Sequence, residues 1–229
     1  MLNPSISKSA GLAVAARRCA EYGVELVLPT DWRRMVVVYF VALAHKIQGT
    51  GVTLEHVERY VTVTLPGAPG PALELLRMIP VVGNLLADFA LKHLGGRTMV
   101  FASPEMLEDG TKIIATIEHE LGHAGTIAAG GLPFCLAYLP APEARAGTEA
   151  PCFGAAMVVL HGLGGMSLEQ VEANALASLA SYGLGRDDTI LARGLIQGAA
   201  QTIRETGDFG GILVEVRRAL EAEGIYLLG

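Results

Sequence analysis

The stretch from Thr111 to Ala129 reads Thr-Lys-Ile-Ile-Ala-Thr-Ile-Glu-His-Glu-Leu-Gly-His-Ala-Gly-Thr-Ile-Ala-Ala, and within it His119-Glu120-Leu121-Gly122-His123 is an H-E-x-x-H match. Two histidines four apart on a helix project from one face, one turn above the other. Both imidazoles then reach one tetrahedral metal ion, and the glutamate between them reaches a water at that ion. The helix is well signalled. Ile113, Ile117, Leu121, Ala124 and Ala128 recur at three- and four-residue steps, Asp109 or Thr111 can cap the start, and Gly130-Gly131 can end it. A chance match in a chain of this length is on the order of one in a hundred.

A catalytic zinc site takes three protein ligands and keeps one position open. A third histidine six residues past His123 is absent, because that position holds Ala129. The downstream acids are Glu143 and Glu149. Glu149 is the favoured third ligand. It opens a helix whose Phe153 to Leu160 stretch is uncharged, and a carboxylate entering such a buried helix needs a partner. Glu143 sits in a Pro-rich stretch beside Arg145 and reads as solvated. Cys152, one turn from Glu149, reads as a small buried thiol. His161 falls off the Glu149 face, and His45, His56 and His93 have no companion pattern. Tyr138 is a candidate hydrogen-bond donor to a developing oxyanion. Gly122 and Gly125 are expected to permit close helix packing, and Thr126 to bond a helix carbonyl.

The run Glu149-Ala-Pro-Cys-Phe-Gly-Ala-Ala-Met-Val158 resembles the second motif of gluzincin metallopeptidases of the ImmA/IrrE-like group, E-A-x-x-F-A-A-x-L-L. A short strand ahead of H-E-L-G-H, here Thr98 to Ala102, is similar too. The resemblance covers roughly Arg97 to Leu160. It departs at Pro151, where the group has a polar residue, and at His161-Gly162, where the group has Met-Pro. It implies a zincin-like helical metallopeptidase core, Zn²⁺ on His119, His123 and Glu149, Glu120 as general base, and a peptide or protein substrate.

Elsewhere the chain reads as mainly α with a short β element. Ser9 caps a helix to about Tyr22, Val24 to Leu28 is extended, and a helix runs from Trp32 to Gln48. After Thr53, helix and strand patterns compete: Val57, Val61 and Leu65 suit one, Val61, Val63 and Leu65 the other. Pro66 to Pro71 divides an N-terminal helical part, 1–66, from the site-bearing part, 67–229, although both can pack as one domain. Helical runs follow at Ala72 to Ile79 and Val81 to Leu94, then a strand at Arg97 to Ala102 and a Ser103-Pro104-Glu105 helix start. Gly130 to Gly147 reads as irregular. Thr148 caps a helix from Glu149 to Leu163 with Pro151 in its first turn. Ser167 and Gln170 form a capping box for a helix ending near Gly183. Asp187 or Asp188 starts another to Glu205, and a last amphipathic helix ends near Glu223.

The 229 residues are 51% hydrophobic with net charge -6. The pI is about 5.5 and the mean hydropathy +0.42. Nothing in that balance points to a nucleic-acid face. Cys19, Cys135 and Cys152 are odd in number and lack a C-x-x-C, which speaks against a disulfide framework. The Ala10 to Ala16 run is ordered wrongly for a secretory signal, and no segment reads as a transmembrane span, so a cytoplasmic protein is expected. The apolar helices also fit a second class of function: a homo-oligomer, or an interaction protein of a larger, for instance phage, assembly, with a structural or vestigial metal.

Overall fold

The computed structural model describes residues 6–48, 51–65, 84, 88, 92, 97–138, 142–179 and 184–226. These are mainly helical with one small sheet, an α+β arrangement. Helix α1 (Lys8–Glu21) leads to strand β1 (Glu25–Val27), then α2 (Trp32–Gln48), α3 (Leu54–Tyr60) and β2 (Val63–Leu65). Strand β3 (Met99–Phe101) and a 3-10 turn (Glu105–Glu108) precede the motif helix α4 (Gly110–Tyr138). Helices α5 (Pro142–Gly162), α6 (Leu168–Leu179), α7 (Arg186–Thr206) and α8 (Ile212–Ala222) complete the chain.

The sheet order is β1-β3-β2, with β1 parallel and β2 antiparallel to β3. All three residues of β3 are buried, as befits a central strand covered on both faces. On one face Met99 and Phe101 pack with Val37 and Val41 of α2 and with Val63 and Leu65 of β2. On the other, Val100 packs with Ile113, Ile117 and Leu121 of α4 and Ala15 of α1. The period-two alternation of a strand therefore sends Thr64 toward α4. The two patterns that compete after Thr53 are each realised: a two-turn helix with Val57 buried, then a strand.

Several starts and stops are where the sequence places them. Asp109 caps α4, its Oδ1 accepting from Lys112 N at 2.9 Å. Ser103 Oγ accepts from Met106 N. Ser167 and Gln170 form the reciprocal box, at 3.2 Å each way. Others differ. Ser7, not Ser9, caps α1, accepting from Ala10 N. That start lies against the start of α4, where a Cβ at Gly11 would stand 2.5 Å from the Gly110 carbonyl oxygen. Helix α7 begins at Arg186, which leaves Asp187 and Asp188 in its first turn.

The largest differences surround the motif. Helix α4 continues through Gly130-Gly131 to Tyr138, where glycine costs a helix only about 1 kcal/mol per site. Ala128 is exposed there rather than on the packed face. Helix α5 starts at Pro142, so Thr148 is inside it and donates to Ala144 O at 2.7 Å. Pro151 is likewise internal. Its missing N–H frees the Gly147 carbonyl, and both residues are exposed, so water can satisfy that group. The Pro66 to Pro71 stretch and the two helical runs after it lie outside the described residues. Among the described residues no helix is long and apolar enough to cross a membrane.

Candidate metal centre

Among the described elements, helices α4 and α5 form the most extensive pairing, and the site lies between them. His119 Nε2 and His123 Nε2 are 3.1 Å apart. Glu149 Oε2 stands 3.3 Å from the first and 3.5 Å from the second. Tetrahedral ligands held about 2.0–2.1 Å from one zinc ion are separated by about 3.3–3.4 Å. The three atoms therefore already have the spacing of ligands to a single ion, and these buried or half-buried groups can hold a metal. Glu143, the other downstream acid, is exposed in the first turn of α5 and is not among them. His161 is also apart, its Nδ1 at 2.8 Å from the Met166 carbonyl.

Electrostatics bind the trio together. Burial pushes the Glu149 carboxyl up, but the two imidazoles outweigh it and hold it well below the usual carboxylate range. Burial opposes charge on His123, yet Cys152 and Glu149 raise its pKa well above the ordinary value. A carboxylate facing two nitrogens in a dry site is poised for a cation.

Glu120 is 5% exposed and faces a different neighbour, the hydroxyl of Thr64, at 2.5 Å from its Oε2. Burial raises its pKa, with the two histidines and Thr64 opposing. His119 and Glu120 together line a cleft of about 340 Å³. One wall is His56 and Tyr60 of α3; another is Phe153 and Ala156 of α5 with Ser178 of α6. Phe153 meets the His119 ring edge-on, centroids 4.8 Å apart, which limits how that imidazole can turn.

Two further contacts hold the histidine helix. Cys152 Sγ lies 3.6 Å from His123 Nδ1. A Cβ at Gly122 would stand 2.8 Å from that sulfur, so the glycine leaves room for the Cys152 side chain against His123. Gly125 has no described atom within 4 Å of such a Cβ. Thr126 Oγ1 donates to Gly122 O at 3.0 Å, as its position suggests. One residue before His119, Arg18 of α1 grips Glu118 with two bonds, Nε to Oε1 at 2.7 Å and Nη2 to Oε2 at 3.1 Å. Both are buried. The Tyr138 side chain lies outside the described residues.

Sequence reasoning misses Thr64, the Arg18–Glu118 pair and the cleft role of His56 and Tyr60. For Thr64 a signal exists: in Val63-Thr64-Leu65 the polar residue faces opposite to its apolar neighbours. For Arg18 and Glu118, a hundred residues apart, none does. Comparison of the chain with protein-family models, curated proteins and solved structures found no match.

Proposed function

We propose that the chain is a zinc-dependent hydrolase of the gluzincin type, acting on amide bonds of peptides or proteins. The observation that carries this reading is the set of three ligand atoms spaced for one ion, with the Glu120 carboxylate beside it on the wall of a cleft. Two imidazoles and one carboxylate make the donor set of a catalytic zinc site, which keeps a fourth position free. When bound, zinc polarises an amide carbonyl and lowers the pKa of a coordinated water. His119, His123 and Glu149 hold the ion. Glu120 takes the proton of the attacking water on its carboxylate and passes it to the leaving nitrogen. Phe153, Tyr60 and Ala156 give the cleft apolar walls that hold a substrate side chain and keep bulk water away from the reacting bond.

Glu120 is a base here and not a ligand, so Glu120→Gln separates binding from chemistry. Zinc content, measured by elemental analysis on protein purified without a metal-affinity tag, stays near one per chain. Hydrolysis of peptides found by a library digest falls by about 10²–10⁴. Equal activity in the variant and the parent removes Glu120 from the mechanism. A parent that holds zinc and cleaves nothing in a broad screen turns the reading toward a structural metal.

A further inference from the structure

We infer that Thr64 is the positioning residue of the base: its hydroxyl holds the Glu120 carboxylate against the metal trio. The inference rests on the hydrolase reading and adds a part that the H-E-x-x-H motif does not contain. Thr64 lies 56 residues before Glu120, on an edge strand, and its hydroxyl is 2.5 Å from Oε2 and 3.3 Å from the backbone carbonyl of the same residue. A hydroxyl has one hydrogen, and the shorter contact to the charged acceptor takes it.

The strand that carries Thr64 is itself pinned. Ser103 N donates to Thr62 Oγ1 at 3.2 Å. Arg34, buried in α2, donates from Nε to the Ala102 carbonyl at 2.5 Å and from Nη2 to the Glu58 carbonyl at 2.8 Å. The first of these carbonyls lies one residue past β3 and the second lies in α3, ahead of β2. Val63 and Leu65 pack on the far side with α2. A three-residue strand so fixed at both faces presents one hydroxyl at a set place. Glu120 needs that help because its flexible side chain has three rotatable bonds, and reaction requires the carboxylate within hydrogen-bond reach of the attacking water. With Oε2 occupied by Thr64, Oε1 is the oxygen that takes the proton. The N-terminal segment thus supplies part of the reacting arrangement as well as a wall of the cleft.

The test compares Thr64→Val, which keeps the shape and removes the hydroxyl, with Thr64→Ser, which keeps the hydroxyl. In Thr64→Val, kcat falls on the order of 10- to 100-fold, the loss typical of a misplaced catalytic group. KM, zinc content and melting temperature stay close to those of the parent, and Thr64→Ser recovers most of kcat. A crystal structure of zinc-loaded Thr64→Val supplies a reading independent of activity: the Glu120 carboxylate turns from its parental place while His119, His123 and Glu149 keep theirs. The inference is overturned if the carboxylate stays put in that crystal, if kcat is unchanged, or if Thr64→Val loses zinc together with its fold. Should the parent hydrolyse nothing, the hydrolase reading fails, and the crystal comparison still decides whether Thr64 sets the carboxylate.

Discussion

Cys152 Sγ meets Nδ1 of His123, the ring nitrogen that does not face His119 and Glu149. For Nε2 to offer its lone pair to a metal, Nδ1 must carry the hydrogen, so the sulfur is the acceptor. Metal-bound histidines depend on such outer partners for ring orientation. Cys152→Ala is expected to weaken zinc binding by about 10- to 100-fold, and Cys152→Ser, which restores an acceptor, by less. Competition against a chromophoric chelator measures both. Parental affinity in Cys152→Ala would show that packing alone orients the ring.

Gly122 and Cys152 are also coupled by volume. An alanine methyl at position 122 would stand 2.8 Å from the sulfur and 3.5 Å from Cys152 Cα. Gly122→Ala therefore forces the Cys152 sulfur from its place, at a cost of about 1–3 kcal/mol for overpacking. Removing the sulfur relieves the nearest clash. Denaturant unfolding of Gly122→Ala, Cys152→Ala and the double variant is expected to show the double less destabilised than the sum, by at least about 0.5 kcal/mol. Strict additivity would mean that the helices yield elsewhere.

The parts of this site that were legible in the sequence are those written in local spacing. His119 and His123 four apart, Asp109 ahead of them and the Ser167–Gln170 box are all settled within one or two helical turns. Glu149 could be preferred to Glu143 because a charge beside an uncharged helix needs a buried partner. What was not legible depends on packing at a distance. Gly130-Gly131 reads as a helix stop and Pro151 as a first-turn residue, yet both lie inside helices, where propensity is a weak prior against tertiary structure. Thr64 reaches Glu120 only because a short strand pairs with β3. No local rule could have aligned that strand with the motif.

Arg18 and Glu118 offer a stability test away from the chemistry. Arg18 also reaches Glu21 at 2.7 Å and Glu215 at 2.8 Å, but those acids are about half exposed, while Glu118 is buried. Arg18→Met leaves the Glu118 charge buried without its guanidinium, and breaking a buried pair this way costs about 3–5 kcal/mol. For a chain of this size that corresponds to a fall in melting temperature of roughly 6–20 °C. Arg18→Met with Glu118→Leu removes both charges and is expected to recover most of the loss. If Arg18→Met melts with the parent, water reaches Glu118 and the pair does not tie α1 to the motif helix.

Glu149 and Glu143 lie on one helix six positions apart, one buried at 1% exposure against the histidines and the other exposed in the first turn. Glutamine at either position keeps the size and removes the charge. A ligand that binds only the folded state raises stability by RT ln(1 + [L]/Kd), about 2.7 kcal/mol at a hundredfold excess over Kd. Zinc added to the metal-stripped parent is therefore expected to raise its melting temperature by several degrees. The same addition should lift Glu143→Gln equally, since a surface charge remote from the trio changes stability by no more than about 0.5 kcal/mol. Glu149→Gln should lose most of the lift, because a neutral amide oxygen is a poor substitute for the carboxylate between two imidazoles. His119→Ala should lose it as well. An equal zinc shift in Glu149→Gln and the parent would mean that the ion rests on the histidines and some other group, and the three-ligand assignment would have to be redrawn.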